Sequence, residues 1–173
     1  MLTIQTYRHN DLSVKRRDEL RLLAANEFDR FPIVHETTWA APDWSFLGMD
    51  GDHLACFYNL VERVARFDGQ PVEIVGLNNL VTAPHHKSRG LASQLLRNTE
   101  AEWFATLKAK YGLLLCAEQL VPFYARLGWQ RMSSEVRFSQ PGAERVWTAT
   151  CMVLSPAREP VDASVIDLCG LPW

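Results

Sequence analysis

Several common kinds of site and signal are missing from this sequence. Its four cysteines are widely separated and include no CxxC pair, which argues against a zinc site, and we predict reduced thiols that pack in the core. They are Cys56, Cys116, Cys151 and Cys169. No apolar run approaches the roughly 20 residues of a membrane span, and no charged segment followed by an apolar one marks a signal peptide. We therefore expect a soluble, cytoplasmic protein without a bound metal.

Charge of one sign is also scarce. The formal net charge is -2 and the sequence pI is about 6.2, so the chain has no general excess of cations for nucleic acid or for an anionic membrane surface. The 173 residues are 47% hydrophobic and 22% charged, which is ordinary globular composition. We predict one domain over residues 1–173 that binds neither nucleic acid nor membrane.

The pattern of apolar residues and turns predicts a mixed α/β domain. Asp50-Gly51 and Asp68-Gly69 read as hairpin turns, so strands 44–49, 53–66 and 72–82 form an antiparallel meander. Helices are predicted before Pro32, at 90–110 and at 120–127, the last ending at Gly128. Further strands are predicted at 3–7, 113–116 and 145–154, and the strand 113–116 is apolar enough for a sheet centre.

A basic segment, residues 84–92, follows a strand and opens a helix. The start of a helix exposes unpaired N–H groups and the positive end of the helix dipole, which bind anions such as pyrophosphate. Gly90 and Ala92 are small enough for close approach of the backbone, and Lys87 and Arg89 add cations. Taken alone, a basic turn of this kind is more often a solvated connection. Neither a P-loop nor a dinucleotide-binding fingerprint is present.

The segment resembles the acetyl-CoA loop of the GNAT acetyltransferase superfamily, [Q/R]-x-x-G-x-[G/A]. Lys87, Gly90 and Ala92 fall on its defining positions, with Lys as a mild departure from Gln or Arg and Ser88 in place of a frequent Gly. The resemblance implies the GNAT acyl-CoA N-acyltransferase fold, with a mixed, mostly antiparallel central sheet flanked by helices, and acetyl-CoA as cofactor. The implied cofactor-binding residues are Leu80, Val81, Thr82, Lys87, Ser88, Arg89, Gly90, Leu91 and Ala92.

A second segment, residues 121–129, resembles the later motif of the same family, FY-x-x-x-G-[FW]. The resemblance implies that Tyr124 stands near the cofactor sulfur as a general acid, which protonates the leaving CoA thiolate. On its own, Tyr124 reads as a core aromatic of a helix, and its place after the phosphate loop favours the catalytic interpretation. The backbone N–H near Leu80 is the candidate that polarises the thioester carbonyl.

The general base is open at this point. Carboxylates or histidines that follow or enter the predicted site are candidates: Glu73, His35, Glu36 and Glu118. We rank Glu118 first because it follows the strand 113–116. A covalent route through Cys116 would need an activated thiolate beside a base, which the sequence does not show, so direct attack of the amine in a ternary complex is the simpler mechanism.

The acidic, Trp-ended tail and the early loop around residues 36–39 resemble those of aminoglycoside 2′-N-acetyltransferases. This narrower resemblance implies that Glu36, Trp39, Asn78 and Trp173 contact the substrate. Asn78 stands where that subfamily has a Glu, and an amide cannot accept the proton. Simple docking of the tail accounts for Trp173 equally well.

The function we expect is an acetyl-CoA-dependent N-acetyltransferase that acts on a primary amine of a small molecule. Two alternatives stay open: a GNAT-type toxin that acetylates aminoacyl-tRNA, and a non-catalytic acyl-CoA-binding module. The net charge of -2 argues against the first because an RNA-binding protein should carry a basic face. The presence of Tyr124 beside the loop argues against the second. Many relatives pair through their late strands, so a homodimer is a further expectation.

Overall fold

The computed structural model describes residues 2–173. In this part of the chain, ten strands and four α-helices form an α/β fold with a mixed, mostly antiparallel sheet, as the sequence predicts. The helices are α1 (Val14–Phe28), α2 (Pro32–Glu36), α3 (Leu91–Ala105) and α4 (Val121–Ala125). The strands are β1 (Thr3–Arg8), β2 (Trp44–Asp50), β3 (His53–Phe67), β4 (Gln70–Thr82), β5 (Tyr111–Cys116), β6 (Gln130–Arg131), β7 (Glu135–Gln140), β8 (Ala143–Val146), β9 (Thr150–Leu154) and β10 (Val165–Asp167).

The chain divides into two compact units. Unit 1 contains the chain up to Thr37 together with Pro42–Leu60 and Asn78–Glu100. Unit 2 contains Thr38–Ala41, Val61–Leu77 and Ala101–Trp173. The expectation of a single domain stays a prediction, and the two units are described separately below.

Unit 1 is built on three antiparallel strands in the order β1-β2-β3. The side chain of Ser13 caps α1 by accepting a hydrogen bond from the N–H of Arg16 at 3.2 Å. The helix then buries its apolar side in a core cluster of this unit: Leu12, Leu20, Leu47, Met49, Leu54, Phe57 and Val81. The helix predicted before Pro32 is α1, which ends at Phe28. Pro32 does not end it but begins the short helix α2, where its fixed φ suits the first turn.

Unit 2 has the strand order β6-β9-β5-β4-β3-β10-β7-β8. β5 lies between β4, which is parallel to it, and β9, which is antiparallel. The sequence prediction of an apolar strand in the sheet centre is therefore confirmed. Asp68 closes the β3–β4 turn with φ 48°, and its carboxylate accepts hydrogen bonds from the N–H groups of Ser164 and Val165. This turn thus holds the strand β10, which pairs with both β3 and β7.

Two predictions about the later part of the chain are wrong. The strand predicted at 145–154 is two strands, since β8 forms a hairpin with β7 while β9 lies between β5 and β6. The Pro141-Gly142 dipeptide, with Gly142 at φ 78°, makes the turn between β7 and β8 and was a readable signal. The helix predicted at 90–110 is shorter than expected and covers Leu91–Ala105.

The tail residues pack in unit 2, as predicted. Trp173 is 4% exposed, and its ring lies so close to the backbone of Gly76 that a Cβ there would overlap the ring atoms Cδ2, Cε2 and Cζ2. The guanidinium of Arg63 lies 5.5 Å from the ring centre of Trp173, and its Nη1 donates to the carbonyl of Leu171 at 2.6 Å. Gly76 and Arg63 therefore shape the place where the indole sits.

The core cluster of unit 2 draws on both early and late parts of the chain. Its buried members are Val61, Ala65, Phe67, Val72, Ile74, Leu113, Met132, Val136, Phe138, Cys151, Val153, Val161, Ala163, Ile166, Leu168 and Trp173. Of the cysteines, Cys56, Cys116 and Cys151 are buried. The packing prediction is wrong for Cys169, which is exposed in the tail. No helix within residues 2–173 is long and apolar enough to cross a membrane.

Candidate functional site

The basic loop of unit 1 presents a row of backbone donors. After a 3-10 turn at Pro84–His86, the chain passes through Ser88 at φ 62° and Gly90 at φ 72° before α3 begins. Within residues 2–173, the N–H groups of Gly90, Leu91, Ala92 and Ser93 form no hydrogen bond. Free N–H groups at a helix start, next to left-handed residues, form a concave site for an anion.

Gly90 serves this loop through its backbone conformation. A Cβ built on Gly90 would meet nothing within 4 Å, so space alone would admit a side chain. Its φ of 72° lies in the left-handed region, where a residue with a Cβ is strained. Close approach of a phosphate to the Gly90 backbone, the role expected from the sequence, stays a prediction.

The cations of the loop are paired with carboxylates of the same unit. Lys87 Nζ lies 2.6 Å from Glu27 Oε2, and Arg89 Nη1 lies 3.3 Å from Asp50 Oδ2. The Nε2 of His86 is 3.4 Å from the same oxygen of Asp50. The hydrogen bond from Arg89 lowers the pKa of Asp50 below its ordinary value. Sequence reasoning missed both carboxylates, which are 60 and 39 residues away from their partners.

The predicted cofactor strand is the last part of β4, which belongs to unit 1. Val81 is buried in the core of this unit, whereas Asn78, Leu80 and Thr82 are half-buried. Asn79 has φ 52°, so the strand is irregular immediately before Leu80, the predicted backbone donor. Asparagine tolerates this conformation better than most residues. The role of Leu80, Val81 and Thr82 toward a cofactor stays a prediction.

Tyr124 lies in unit 2 on α4, inside an aromatic cluster. Its ring centre is 4.9 Å from that of Phe123 and 5.9 Å from that of Trp129, both edge-on. The side chain is 7% exposed, and among residues 2–173 nothing forms a hydrogen bond with its hydroxyl. Burial raises the pKa of Tyr124 well above its ordinary value, and neighbouring Cys116 raises it further. The hydroxyl therefore stays protonated throughout the neutral range.

The segment around Tyr124 contains the predicted helix, but α4 covers only Val121–Ala125 of the predicted 120–127 and ends before Gly128. Pro122 lies in the first turn of α4, and Gly128 follows the helix at φ 88°. The N–H groups of Leu127 and Trp129 both donate to the carbonyl of Tyr124, at 2.9 and 3.2 Å. These bonds return the chain sharply and bring the Trp129 ring against Tyr124.

Glu118 is held by two donors in unit 2. Its Oε1 accepts from Arg131 Nη1 at 2.5 Å and its Oε2 accepts from Thr150 Oγ1 at 2.7 Å. The bond from Thr150 and then the one from Arg131 lower the pKa of Glu118. The three side chains line a cavity of about 240 Å³ together with Met132, Thr148 and Ala149. A carboxylate fixed in its ionised form is a weak proton acceptor, which argues against Glu118 as the base.

The residues predicted to contact the amine substrate are divided between the two units. Glu36, exposed at the end of α2, and Asn78 are in unit 1, whereas Trp39 and Trp173 are in unit 2. Within unit 2, the N–H of Ala40 donates to the carbonyl of Pro172 at 2.7 Å, so the segment of Trp39 meets the tail. Trp173 itself is buried, which favours docking of the tail over direct contact with a substrate.

Two further residues hold the Trp39 segment, and no local sequence pattern indicates them. The side-chain amide of Gln140 accepts from the N–H of Thr38 at 2.8 Å and donates to the Thr38 carbonyl at 2.9 Å. The ring of Trp147 lies edge-on to Trp39 with centres 6.2 Å apart. Trp147 was placed inside a strand, which hid its role in this cluster.

A buried polar chain in unit 1 has the composition of a catalytic triad but not its geometry. Ser45 Oγ donates its proton to Asn59 Oδ1 at 2.7 Å. His9 Nδ1 lies 2.8 Å from Ser45 Oγ and therefore donates to it. Ser45 is fully buried. A serine whose proton points at Asn59 is not activated by His9, so the chain is a structural network. Burial, and then the charge of Arg17, lower the pKa of His9.

Comparisons with known protein families and solved structures identify the family and the fold of this chain. The family model of the acetyltransferase (GNAT) domain matches residues 21–132, well over half of the 173-residue chain. This family supports acyl transfer from an acyl-CoA as the general activity. No curated protein matches the chain significantly.

Solved structures of low sequence identity share the fold. Escherichia coli ElaA is 19% identical with a TM-score of 0.63, and the match covers 88% of this chain and 99% of ElaA. An acyl-CoA N-acyltransferase from Pseudomonas aeruginosa is 20% identical with a TM-score of 0.60, covering 90% and 100%. The Escherichia coli GNAT family N-acetyltransferase YhbS, solved in complex with CoA, is 15% identical with a TM-score of 0.59, covering 97% and 89%. The fold and the family match agree, and the chain belongs to the GNAT acetyltransferase superfamily.

Proposed function

We propose that the protein transfers an acetyl group from acetyl-CoA to a primary amine of a small molecule. The observation that carries the proposal is the run of free N–H groups from Gly90 to Ser93 at the start of α3, beside the left-handed Ser88. Such a run suits a pyrophosphate. Membership of the GNAT superfamily and the CoA complex of YhbS support CoA as the ligand.

In this proposal, the donor is bound mainly by backbone. The N–H groups of the loop, with Lys87, Ser88, Arg89, Leu91 and Ala92, hold the pyrophosphate. The main chain of Leu80, Val81 and Thr82 pairs with the pantetheine arm, and the N–H near Leu80 polarises the thioester carbonyl. Backbone donors explain why Lys87 and Ser88 can depart from the commoner residues of the motif, because neither change removes an N–H group.

The chemical step is direct attack of a neutral amine on the thioester carbonyl carbon. The tetrahedral intermediate loses the amine proton and then its C–S bond breaks, and the sulfur leaves as a thiolate that takes the hydroxyl proton of Tyr124. Burial raises the pKa of Tyr124 and would raise that of a buried thiolate too, because both become anions on losing a proton. The two shifts act in the same direction, so burial need not impede the transfer.

The acceptor's proton goes to water in this proposal. Glu118 was the leading candidate for the base, but its two hydrogen-bond donors and its lowered pKa suit a residue that holds Arg131 and Thr150 in place. Asn78 orients the acceptor or a water molecule, and Glu36 and Trp39 contact the amine. Trp173, buried under Arg63 against Gly76 within unit 2, holds the tail in place without touching the substrate.

A thiol-release screen tests the proposed function. Purified protein is mixed with acetyl-CoA and a panel of primary amines that includes aminoglycosides, and free CoA is followed with a thiol reagent. We expect release with a subset of amines, together with a product that is heavier by one acetyl group in mass spectrometry. A parallel series with longer acyl-CoA donors measures donor preference.

Two outcomes of this screen would overturn the proposal. If acetyl-CoA binds but no amine releases CoA, the protein is an acyl-CoA-binding module. If small amines fail and aminoacyl-tRNA is acetylated, the toxin alternative holds despite the net charge of -2.

A further inference from the structure

We propose that Glu27 and Asp50 compete with the phosphates of the donor for Lys87 and Arg89, and so set the affinity of the loop for CoA. The inference rests on the proposed function, since it takes the loop as the pyrophosphate site. It concerns two carboxylates that belong to no motif of the family resemblance. Their contribution is to occupy the loop cations whenever no phosphate does.

The geometry that carries this inference lies wholly within unit 1. Glu27 reaches from the last turn of α1 to Lys87 Nζ at 2.6 Å, and Asp50, at the end of β2, reaches Arg89 Nη1 at 3.3 Å. Both cations next to the free N–H groups thus already have an anionic partner. His86 shares Asp50, at 3.4 Å, so the second carboxylate serves two side chains of the loop.

These pairs differ from the other ion pairs of α1. Arg16 pairs with Glu19 and Arg21 pairs with Asp18, three residues apart on the same helix, as ordinary surface pairs do. The pair of Glu27 with Lys87 instead spans 60 residues and joins the helix to the loop. Glu27 is therefore the α1 carboxylate that reaches into the loop of unit 1 where an anion is expected.

A bound phosphate would exchange with the carboxylates. Phosphate and carboxylate oxygens compete for the same N–H donors, and two anions at one cation repel each other. Lys87, Arg89, Glu27 and Asp50 keep between 36% and 53% of their side chains exposed, so each can swing into water when displaced. The exchange involves no covalent step, and its cost is the loss of two partly exposed ion pairs.

Removing the carboxylate charges should therefore tighten CoA binding. Exposed pairs are weak, so we expect Glu27→Gln and Asp50→Asn each to lower the Kd for CoA by about two- to fivefold at low ionic strength. The double variant should combine the two effects, because the pairs share no partner. The gain should shrink as salt is added, since salt screens exposed charges.

Calorimetric titration of CoA into the whole protein tests the inference. Glu19→Gln is the matched control, because it makes the same charge change on α1 at a residue paired with Arg16. Binding that tightens in the loop variants and not in Glu19→Gln supports the inference. Equal or weaker binding in Glu27→Gln and Asp50→Asn, with wild-type protein binding CoA normally, overturns it. If wild-type protein binds no CoA at all, the proposed function fails instead.

Discussion

Lys87 and Arg89 in unit 1 keep 50% and 53% of their side chains exposed, whereas Tyr124 in unit 2 is a buried residue, 7% exposed. The loop cations are paired with carboxylates, while the Tyr124 hydroxyl has aromatic neighbours and no hydrogen-bond partner within residues 2–173. Exposed charges in exchangeable pairs suit reversible binding of an anion. A buried, protonated phenol suits one proton transfer. In the proposed function this contrast separates donor binding from donor chemistry, and variants at Tyr124 and at the loop cations test it.

The largest effect is expected at Tyr124. Tyr124→Phe should lower kcat by about 100-fold, because a general acid contributes 10²- to 10⁴-fold, and should leave the KM for acetyl-CoA and the melting temperature unchanged. The raised pKa of Tyr124 predicts that kcat does not decline through loss of this proton between about pH 7 and 9. Steady-state kinetics against pH make the measurement.

The control for this change is Tyr7→Phe, which removes an exposed hydroxyl bonded to Gln5. Full activity of Tyr124→Phe would assign Tyr124 to the aromatic cluster alone. The proposed difference in role between the loop cations, which bind the donor, and Tyr124, which donates a proton, would then be wrong.

The second prediction concerns the close packing in unit 2. Gly76→Ala should lower the free energy of unfolding by about 1–3 kcal/mol, because the new methyl group overlaps the Trp173 ring. Urea unfolding of Gly76→Ala, Trp173→Ala and the double variant forms a thermodynamic cycle. In the double variant, the Ala at position 76 should cost much less, since the indole is gone. Equal costs in both backgrounds would show that Gly76 is needed for another reason.

A smaller effect is expected at the loop of unit 1. Reversing both cations, in Lys87→Glu with Arg89→Glu, should weaken CoA binding by about tenfold, which is about 1.4 kcal/mol. Lys15→Glu with Arg97→Glu makes the same change of net charge at exposed residues outside the loop and should have little effect. Calorimetry at two salt concentrations measures both. Unchanged affinity in the loop variant would show that the side chains of Lys87 and Arg89 do not contribute to phosphate binding.

The smallest effect concerns the polar chain at His9. Its pKa is lowered in the folded protein, so folded His9 binds a proton less readily than the unfolded chain does. Its contribution to stability is full above about pH 6.5 and is lost as the pH falls through the folded pKa. We expect a loss of less than about 1 kcal/mol by pH 5 in urea unfolding, because His9 is only partly buried.

Comparison of variants isolates this contribution. His9→Asn should flatten the dependence of stability on pH in this range. His35→Gln, a change at an exposed histidine whose ring contacts the carbonyl of Asp29, should not. If stability depends on pH in His9→Asn as it does in the wild type, the titration of His9 is not the cause of that dependence.

Local signals predicted much of the fold. The turns at Asp50-Gly51 and Asp68-Gly69, the apolar β5 and the glycine after α4 are each readable in a few residues, because turn chemistry and burial in a sheet centre leave short sequence patterns. The basic loop also lies within one short segment, which holds the left-handed Ser88 and Gly90. Its role in binding the donor stays a prediction.

Features that depend on distant parts of the chain were not predicted. The short β6 and β10 owe their existence to partners elsewhere in unit 2. The pairing of Glu27 with Lys87 spans 60 residues, and no local pattern announces it. Glu118 illustrates the same limit, because its position after β5 suggested a base, while Thr150 and Arg131, distant in sequence, decide its charge.

The bond between Asp68 and Ser164 bears on how unit 2 folds during synthesis. A ribosome adds about 5–20 residues each second, so the early hairpin at Asp68 waits for partners that emerge 96 residues later. Until then the cluster lacks Ile166, Leu168 and Trp173, and its apolar surface stays open to other chains. The core of unit 2 is therefore complete only after residues 164–173 have left the exit tunnel.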